Sequence, residues 1–177
     1  MSCVGRLIIR TARLNLVPVE PSDAHAALSG DRRADWVSDY PTEGDLVIAS
    51  LIANTVIVGA DAYVPYKIIL RASGQVIGGC GFMGPPDATG AVEIGYGLAP
   101  SQRGKGIATE AVGGLVGEAW KDPRVKVVFA RTDQDNEPSQ GVLRRAGFRQ
   151  VDSDSEQLRW EIARQPSPSP LRGGPGS

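Results

Sequence analysis

The sequence predicts an α/β (α+β) protein, and two patterns and the chain length support this prediction. Residues 67–71 and 76–83 have the character of two strands, joined by Ser73-Gly74, a pair typical of a tight hairpin turn. Residues 107–120 instead carry apolar side chains every three to four positions, which indicates an amphipathic helix of about four turns. A chain of 177 residues is long enough for one well-buried domain of this mixed kind and too short for two comfortable ones.

A glycine-rich loop joins a third strand to that helix. Residues 92–98 alternate between apolar positions and polar or glycine positions, which predicts a strand. Pro100 ends the strand because it has no backbone N–H to donate. The loop that follows is Gln102-Arg103-Gly104-Lys105-Gly106-Ile107-Ala108.

This loop is a candidate anion site. The first amides of a helix have no intrahelical partner and carry the positive end of the helix dipole, which favours a phosphate. Gly104 and Gly106 would let the backbone approach the anion, and Arg103 and Lys105 add positive charge. An ordinary glycine turn is the alternative, and it is preferred for an isolated G-x-G. The loop is not a P-loop, which needs Ser or Thr where Gly106 stands, nor a dinucleotide fingerprint, which would want Gly or Ala at Thr109.

Charge and composition exclude several classes of function. With 19 basic and 20 acidic residues the net charge is −1, so no nucleic-acid partner is expected. Cys3 and Cys80 are too few for a disulfide framework or a metal cluster, and His25 is the only histidine, so we expect no metal. Residues 1–10 lack the apolar run of a signal peptide, and no segment reaches the roughly 18–20 apolar residues that span a bilayer. We therefore expect a cytoplasmic protein that contacts no membrane.

The N-terminal part predicts a strand at about residues 14–18 and a helix that begins at Pro21-Ser22-Asp23 and ends at Gly30. A second helix starts near Thr42 or Gly44. The β-branched run 55–59 fits either the end of that helix or a short extended piece. The apolar stripe predicted for the second helix consists of Leu46, Val47, Leu51 and Ile52.

Residues 31–44, between these helices, form a loop in which Trp36, Asp39 and Tyr40 fall close together. Two interpretations are equally supported. The aromatic rings pack over an edge of the fold, or they line a substrate pocket, because loops on a rigid scaffold often carry specificity.

The C-terminal part predicts a central strand at residues 125–131 and a short helix after it. Asn136 is a good N-cap for this helix, and Gly147 is its stop signal. Two further strands follow, one from Phe148 and one at residues 158–162.

Pro, Ser and Gly dominate the last residues of the chain. We therefore expect one folded domain over residues 1–163 and a disordered tail over residues 164–177.

Three separated motifs resemble those of the GCN5-related N-acetyltransferase (GNAT) superfamily. Residues 103–108 are similar to its R/Q-x-x-G-x-G/A pyrophosphate loop. Asn136-Glu137-Pro138-Ser139, followed by Val142-Leu143 and Gly147-Phe148, is similar to its N-x-x-S/A…G-F segment. Residues 11–16 with Asp23-Ala24 look like the opening of the ribosomal-protein N-terminal acetyltransferase (RimJ/RimL-like) branch. The resemblance covers roughly residues 10–162.

The resemblance implies a mixed, mostly antiparallel sheet of six or seven strands with helices on both faces. It also implies that the strands before helices 106–120 and 137–146 splay apart to admit the pantetheine arm of acetyl-CoA. The loop amides would hold the pyrophosphate, the backbone near Leu98 would bind the pantetheine amides and the acetyl carbonyl, and Asn136 would contact the arm. The implied cofactor-binding residues are Leu98, Arg103, Gly104, Lys105, Gly106, Ile107, Ala108 and Asn136.

Acetyl transfer to an amine needs a base and a proton donor. The attacking amine must be neutral, so a carboxylate base helps, and a hydroxyl stabilises the departing thiolate. Glu93 is the candidate base, and its alternative role is that of a solvated or salt-bridged strand residue. Ser139 is the candidate donor, and its alternative role is helix capping. Many members of the superfamily carry Tyr where Leu143 stands, and its absence here favours Ser139, whereas Tyr96 is interpreted as core or pocket wall.

These residues predict an acetyl-CoA-dependent N-acetyltransferase that transfers an acetyl group to a primary amine by direct attack on the thioester. A protein N-terminus as acceptor favours an open groove beside residues 36–41, and a small amine favours a closed pocket with acids such as Asp35, Asp39 or Glu43. A non-catalytic acyl-CoA-binding sensor or interaction module with the same fold is the alternative, and a homodimer stays open. The expected substrate-pocket residues are Trp36, Asp39, Tyr40 and Tyr96.

Overall fold

Eight strands and four helices form the regular structure of residues 8–54 and 63–166, which a computed structural model of the chain describes. The strands are β1 (Ile9–Arg10), β2 (Leu14–Pro18), β3 (Pro65–Leu70), β4 (Gln75–Phe82), β5 (Ala91–Leu98), β6 (Val127–Asp133), β7 (Arg149–Ser153) and β8 (Gln157–Ala163). The helices are α1 (Pro21–Ser29), α2 (Glu43–Asn54), α3 (Ile107–Ala119) and α4 (Glu137–Arg145), and a single turn of 3-10 helix covers Pro100–Gln102.

All of these strands join one sheet, in the order β1-β2-β3-β4-β5-β6-β8-β7. Neighbouring strands are antiparallel except β5 and β6, which are parallel. The prediction of a mixed, mostly antiparallel sheet is therefore confirmed. The sheet has eight strands where six or seven were expected, and it includes the two-residue β1, which pairs Ile9 with Leu16.

The parallel pair β5 and β6 separates soon after it begins. Only Ala91–Glu93 pair with Val127–Phe129, and beyond these residues the two strands diverge. The remaining parts of β5 and β6 point towards α3 and α4. The expected splay between the strands that precede these two helices is thus present.

The two faces of the sheet are covered by different helices, as expected. One face packs against α3, whose buried stripe meets the fully buried Leu16, Ile68 and Ile77 of the sheet. The other face packs against α1 and α2 through small residues, among them Ala24, Ala27 and Ala49. The buried stripe of α3 is Ile107, Ala111, Val112, Leu115, Val116 and Ala119.

The apolar stripe predicted for α2 is wrong in most of its members. Ile52 is buried, but Val47 and Leu51 are 60% and 57% exposed, and Leu46 also lies on the outer face. The inner face instead presents Ala49, because a small side chain lets α2 pack closely against α1. The helix is apolar almost throughout from residue 46 to residue 52, so periodicity alone cannot identify the buried side.

Two sequence predictions fall on parts of the chain outside the described residues. The run 55–59, whose structure the sequence left open, is one of them. The predicted tail is the other, apart from residues 164–166. Within the described residues, no helix is both long enough and apolar enough to cross a membrane.

Candidate active site

The loop between β5 and α3 presents a row of unpaired backbone amides. None of the six consecutive N–H groups from Gly104 to Thr109 donates to an acceptor within residues 8–54 and 63–166. The side-chain Oγ1 of Thr109 is buried and also has no partner there. Since α3 begins at Ile107 without a side-chain cap, the positive end of its dipole faces the same place. The loop therefore fits a phosphate group better than an ordinary glycine turn.

Backbone conformation explains the two glycines of this loop. Gly104 and Gly106 have φ angles of +76° and +74°, which side-chain-bearing residues rarely adopt. A Cβ added to Gly104 would meet no atom within 4 Å, so steric crowding is not the reason for this glycine.

Glu110 and the N-terminal segment hold the loop in place. Glu110 accepts hydrogen bonds from the Thr11 hydroxyl, the Arg13 N–H and the Arg13 Nε, at 2.6, 2.7 and 2.6 Å. The Nη1 atom of Arg13 then donates to the carbonyl of Lys105 at 2.9 Å. Burial acts to raise the pKa of Glu110, but the bonds from Thr11 and Arg13 outweigh it and lower the pKa. Sequence reasoning missed the part played by Glu110, since nothing local to the α3 motif indicates its partners.

The other end of the loop is tied to the end of β5. Asp39 accepts from the backbone N–H and the hydroxyl of Ser101, both at 2.7 Å, and these bonds lower the pKa of Asp39. The Nε atom of Arg103 donates to the carbonyl of Leu98 at 3.2 Å. Asp39, which was expected in the substrate pocket, therefore positions the loop, and Arg103 folds back on the strand.

The splay between β5 and β6 exposes backbone groups of β5. Two hydrogen bonds of 2.9 Å show which residues of β5 bond to β4. The Ala99 N–H donates to the Ile77 carbonyl, and the Met83 N–H donates to the Glu93 carbonyl. Because the bonding direction alternates along a strand, the backbone groups of Tyr96 and Leu98 point away from β4 and into the gap. A strand edge of this kind can bind an extended amide-containing chain.

Tyr96 and Ser139 meet across this gap. Their hydroxyl oxygens are 2.7 Å apart. The Tyr96 hydroxyl also donates a hydrogen bond to the backbone carbonyl of Ser139, at 3.1 Å. Asn136 caps α4, because its Oδ1 accepts from the backbone N–H of Ser139 at 3.2 Å. The hydroxyl of Ser139 is therefore not the capping group and is available to Tyr96. Burial raises the pKa of Tyr96, although the bond to Ser139 and the charge of Arg145 act in the opposite direction. Leu143 is fully buried in the core.

Glu93 lies apart from these two hydroxyls. Its Oε1 is 3.6 Å from the Nε of Arg131, and its side chain is 31% exposed. Glu93 shares a face of β5 with Gly95 and Gly97, opposite the buried Val92.

A cavity of about 230 Å³ lies between the sheet and helices α1 and α2. Tyr40 and Tyr96 line it, whereas Trp36 is 7% exposed and packs edge-on against Tyr40 with ring centres 5.1 Å apart. Trp36 therefore belongs to the core, and Tyr40 to the cavity. The floor of the cavity is formed by Gly79, Gly81, Gly95 and Gly97.

The acids of this cavity are Asp23 and Asp45. Asp35, Asp39 and Glu43, which the sequence offered for a closed pocket, do not line it. The pattern Thr42-x-x-Asp45 could have indicated the position of Asp45, because it is typical of a capping box. In a capping box the acid bonds back to the residue that caps the helix, which fixes where the acid lies on the first helical turn. No group of three or more His, Cys, Asp and Glu side chains in the described ranges could hold a metal ion.

A family model described as an acetyltransferase (GNAT) domain matches residues 13–149. The chain belongs to this GNAT family. The predicted superfamily and the prediction of an N-acetyltransferase are both confirmed, whereas the RimJ/RimL-like branch stays a prediction.

Relatives of this GNAT chain include YjdG of Bacillus subtilis (strain 168), an uncharacterized N-acetyltransferase. It is 28% identical over 165 residues, which are 87% of this chain and 96% of YjdG. The structure of RimL, a ribosomal alpha-N-protein acetyltransferase in complex with coenzyme A, has a TM-score of 0.68 at 17% identity and covers 89% of this chain and 98% of its own. AAC(6')-Ib in complex with paromomycin and acetyl-CoA has a TM-score of 0.64 at 22% identity, with 86% and 94% of the two chains covered. At these identities the two structures share the fold with this chain.

Proposed function

We propose that this chain is an acetyl-CoA-dependent N-acetyltransferase that acetylates a primary amine by direct attack on the thioester. The observation that carries the proposal is the gap between β5 and β6, which has the free amides of residues 104–109 at its α3 end. The cavity above Gly95 and Gly97 adjoins the same strand. A cofactor arm and an acceptor can thus reach one point of β5 from two sides.

The residues around the gap fit coenzyme A. The amides of residues 104–109 and the unpartnered Oγ1 of Thr109 suit a pyrophosphate, and Lys105 adds positive charge. The backbone groups of Tyr96 and the N–H of Leu98 suit the amides of a pantetheine arm, whereas the Leu98 carbonyl accepts from Arg103. When bound, acetyl-CoA supplies an activated acetyl group. RimL was solved with coenzyme A and AAC(6')-Ib with acetyl-CoA, which supports the same cofactor here.

Two hydroxyls of this chain can supply the proton that a leaving thiolate needs. Because the Tyr96 hydroxyl donates to the Ser139 carbonyl, the Ser139 hydroxyl is free to donate to the Tyr96 oxygen or into the gap. Arg145 adds positive charge beside this pair, which favours a developing negative charge.

Glu93 is the proposed base, acting through water. It lies on the cavity side of β5, two residues before Gly95 on the same face of the strand. Its ion pair with Arg131 gives it a structural role as well. We expect Glu93→Gln to lower kcat at neutral pH by roughly a hundredfold, within the range of general base catalysis, and to raise the optimal pH. If Glu93→Gln has the same pH profile as the wild type, Glu93 is not the base and its role is limited to the ion pair with Arg131.

The RimJ/RimL-like branch remains part of the proposal. Thr11 and Arg13, which carry that resemblance, are the residues that hold Glu110 and the loop. This contact gives the motif a physical purpose in cofactor binding, and that purpose is independent of the acceptor.

The proposed function is tested by release of the coenzyme A thiol, measured with small amines and with peptides side by side. We expect thiol release that depends on an amine, and acetyl-CoA is expected to raise the melting temperature. Stabilisation by acetyl-CoA without thiol release from any amine would favour the binding module. The absence of both would contradict coenzyme A use altogether.

A further inference from the structure

We propose that the cavity takes a small acceptor with two cationic groups, and that Oδ1 of Asp45 binds the group that does not react. This inference rests on the proposed acetyl transfer and specifies the acceptor of the same site. The acceptor is a primary amine with a second positive charge roughly 4–8 Å away, a span set by the strand spacing and by the contact distances at its two ends.

Asp45 has one oxygen committed to the fold and one available. Its Oδ2 accepts from the backbone N–H and the hydroxyl of Thr42, at 2.9 and 2.7 Å, as the acid of a capping box. Its Oδ1 accepts no hydrogen bond from the described residues. That oxygen lies directly over the cavity floor, since a Cβ added to Gly79 would stand 2.5 Å from it.

Capping alone does not require this burial. A capping carboxylate at the start of a helix is ordinarily solvated, whereas Asp45 faces the cavity among Tyr40, Ile48 and Ala49. Burial raises the pKa of Asp45, and the hydrogen bonds from Thr42 offset this only in part. Asp45 is half-buried, and its Oδ1, which accepts from no described residue, would gain a charge-assisted hydrogen bond from an ammonium group in the cavity.

The other acid of the cavity cannot play this part, because it is already neutralised. Asp23 accepts from Lys67 Nζ at 2.8 and 3.0 Å, from Arg33 Nη1 at 2.7 Å and from the Glu20 N–H at 2.9 Å. Asp45 therefore provides the one uncompensated negative charge among the described residues that line the cavity.

The sheet sets the distance between this charge and the reaction. Gly79 of β4 pairs with Gly97 of β5, and the gap lies on the far side of β5. Asp45 thus stands about two strand spacings, or roughly 10 Å, from the gap. A reacting nitrogen stands about 3 Å from the carbon it attacks, and an ammonium about 2.8 Å from a carboxylate oxygen. With both contacts along this line the two nitrogens stand roughly 4 Å apart, and oblique contacts lengthen the span to as much as about 8 Å.

The space between the two ends suits a short methylene chain. A Cβ added to Gly97 would meet no atom within 4 Å, so the floor is open at this point. The wall on the helix side is apolar at Ala24 and Ile48, and the Tyr40 ring can face a cation. Two charges with an apolar linker match this arrangement.

The experiment compares putrescine and cadaverine with n-butylamine and n-pentylamine, which lack the second charge. It uses the wild-type chain, Asp45→Asn and the control Glu43→Gln, which removes an exposed charge from the same helical turn. We expect the wild type and Glu43→Gln to prefer the diamines in kcat/KM. Asp45→Asn should lose this preference, with a rise in the diamine KM of about ten- to hundredfold, the value of one charged hydrogen bond. The diamine-to-monoamine ratio within one variant is independent of its stability.

Binding of putrescine, measured by calorimetry with coenzyme A present, separates this inference from the proposed function. Binding that Asp45→Asn abolishes, in the absence of any turnover, would support the cavity assignment and contradict acetyl transfer. Turnover of amines or peptides without a diamine preference, or with a preference that Asp45→Asn retains, would overturn the cavity assignment alone. If putrescine does not bind and no amine is turned over, the cavity assignment and acetyl transfer are both contradicted.

Discussion

Two hydroxyl groups from distant parts of the chain meet in the gap between β5 and β6. Tyr96 comes from β5 and Ser139 from the first turn of α4, 43 positions later in the sequence. The motif around Asn136 predicts Ser139 as a donor, but it contains no information about its neighbour. The structure joins the two because β5 and α4 border the same gap, so Tyr96 becomes part of the proposed proton-donating pair and also lines the cavity.

Removal of either hydroxyl is expected to slow turnover. Tyr96→Phe and Ser139→Ala should each lower kcat by roughly tenfold to a hundredfold, because each hydroxyl orients or replaces the other as donor. The double variant should lose less than the product of the two effects, since the residues act together. The control is Tyr63→Phe, which removes a tyrosine hydroxyl that donates to Asp122 at 2.6 Å. Steady-state kinetics measure these effects, and additive losses would contradict a coupled pair.

At the scale of elements, the loop before α3 depends on its backbone conformation and on a tether from another strand. Gly104 and Gly106 supply the positive φ angles, and the sequence predicts the loop because glycine spacing is a local signal. The tether from Arg13 to Glu110 spans 97 positions, and it exists only because α3 packs beside the N-terminal strands.

Two glycine-to-alanine variants separate the effect of loop conformation from that of adding a methyl group. A Cβ at Gly104 or at Gly113, inside α3, would meet no atom within 4 Å. Gly104→Ala should destabilise the chain by about 1–2 kcal/mol, because φ is positive there. Gly113→Ala should stabilise it by about 0.5–1 kcal/mol, because alanine is the better helix former.

Urea denaturation measures both changes. Gly104→Ala should also weaken the rise in melting temperature that acetyl-CoA produces, whereas Gly113→Ala should leave that rise unchanged. An unaltered response of Gly104→Ala to acetyl-CoA would contradict the assignment of this loop to the pyrophosphate.

At the scale of the whole molecule, one buried acid connects α1 to the sheet and to the following loop. Asp23 of α1 binds Lys67 of β3 and Arg33 of the loop, and its side chain is 10% exposed. Burial acts to raise the pKa of Asp23, but the hydrogen bonds from Lys67 and Glu20 and the charges of Lys67 and Arg33 lower it below the ordinary 3.8. Asp23 therefore stabilises the fold while it is ionised.

Asp23→Asn is expected to lower the free energy of unfolding by about 1.5–3 kcal/mol at neutral pH, because it leaves the half-buried ammonium of Lys67 without its carboxylate. A depressed pKa gives stability above the unfolded-state value of 3.8 that is lost as the pH falls through the folded-state value. The difference between wild type and variant should therefore shrink below that pH. Urea titrations at several pH values measure it.

The control for this titration is Asp35→Asn. Asp35 is half-exposed and lies 3.9 Å from Arg33, so its loss should cost less than about 1 kcal/mol at any pH. A difference between wild type and Asp23→Asn that is constant with pH would contradict the role of ionised Asp23.

The sequence by itself determined most of the elements of this GNAT chain and the glycine loop before α3. The hairpin at Ser73-Gly74, the cap at Asn136 and the stop at Gly147 are local features, because turn and cap preferences act over a few residues. The same holds for the glycines of the loop before α3.

Only the tertiary structure decided which side chains share the site. It turned Asp45 towards Gly79, joined Tyr96 to Ser139, and left Trp36 in the core and Glu93 beside Arg131. Apolar periodicity could not orient α2, whose surface is apolar on nearly every side. Contacts between residues far apart in the chain depend on sheet register and helix packing, and no local pattern encodes either of these.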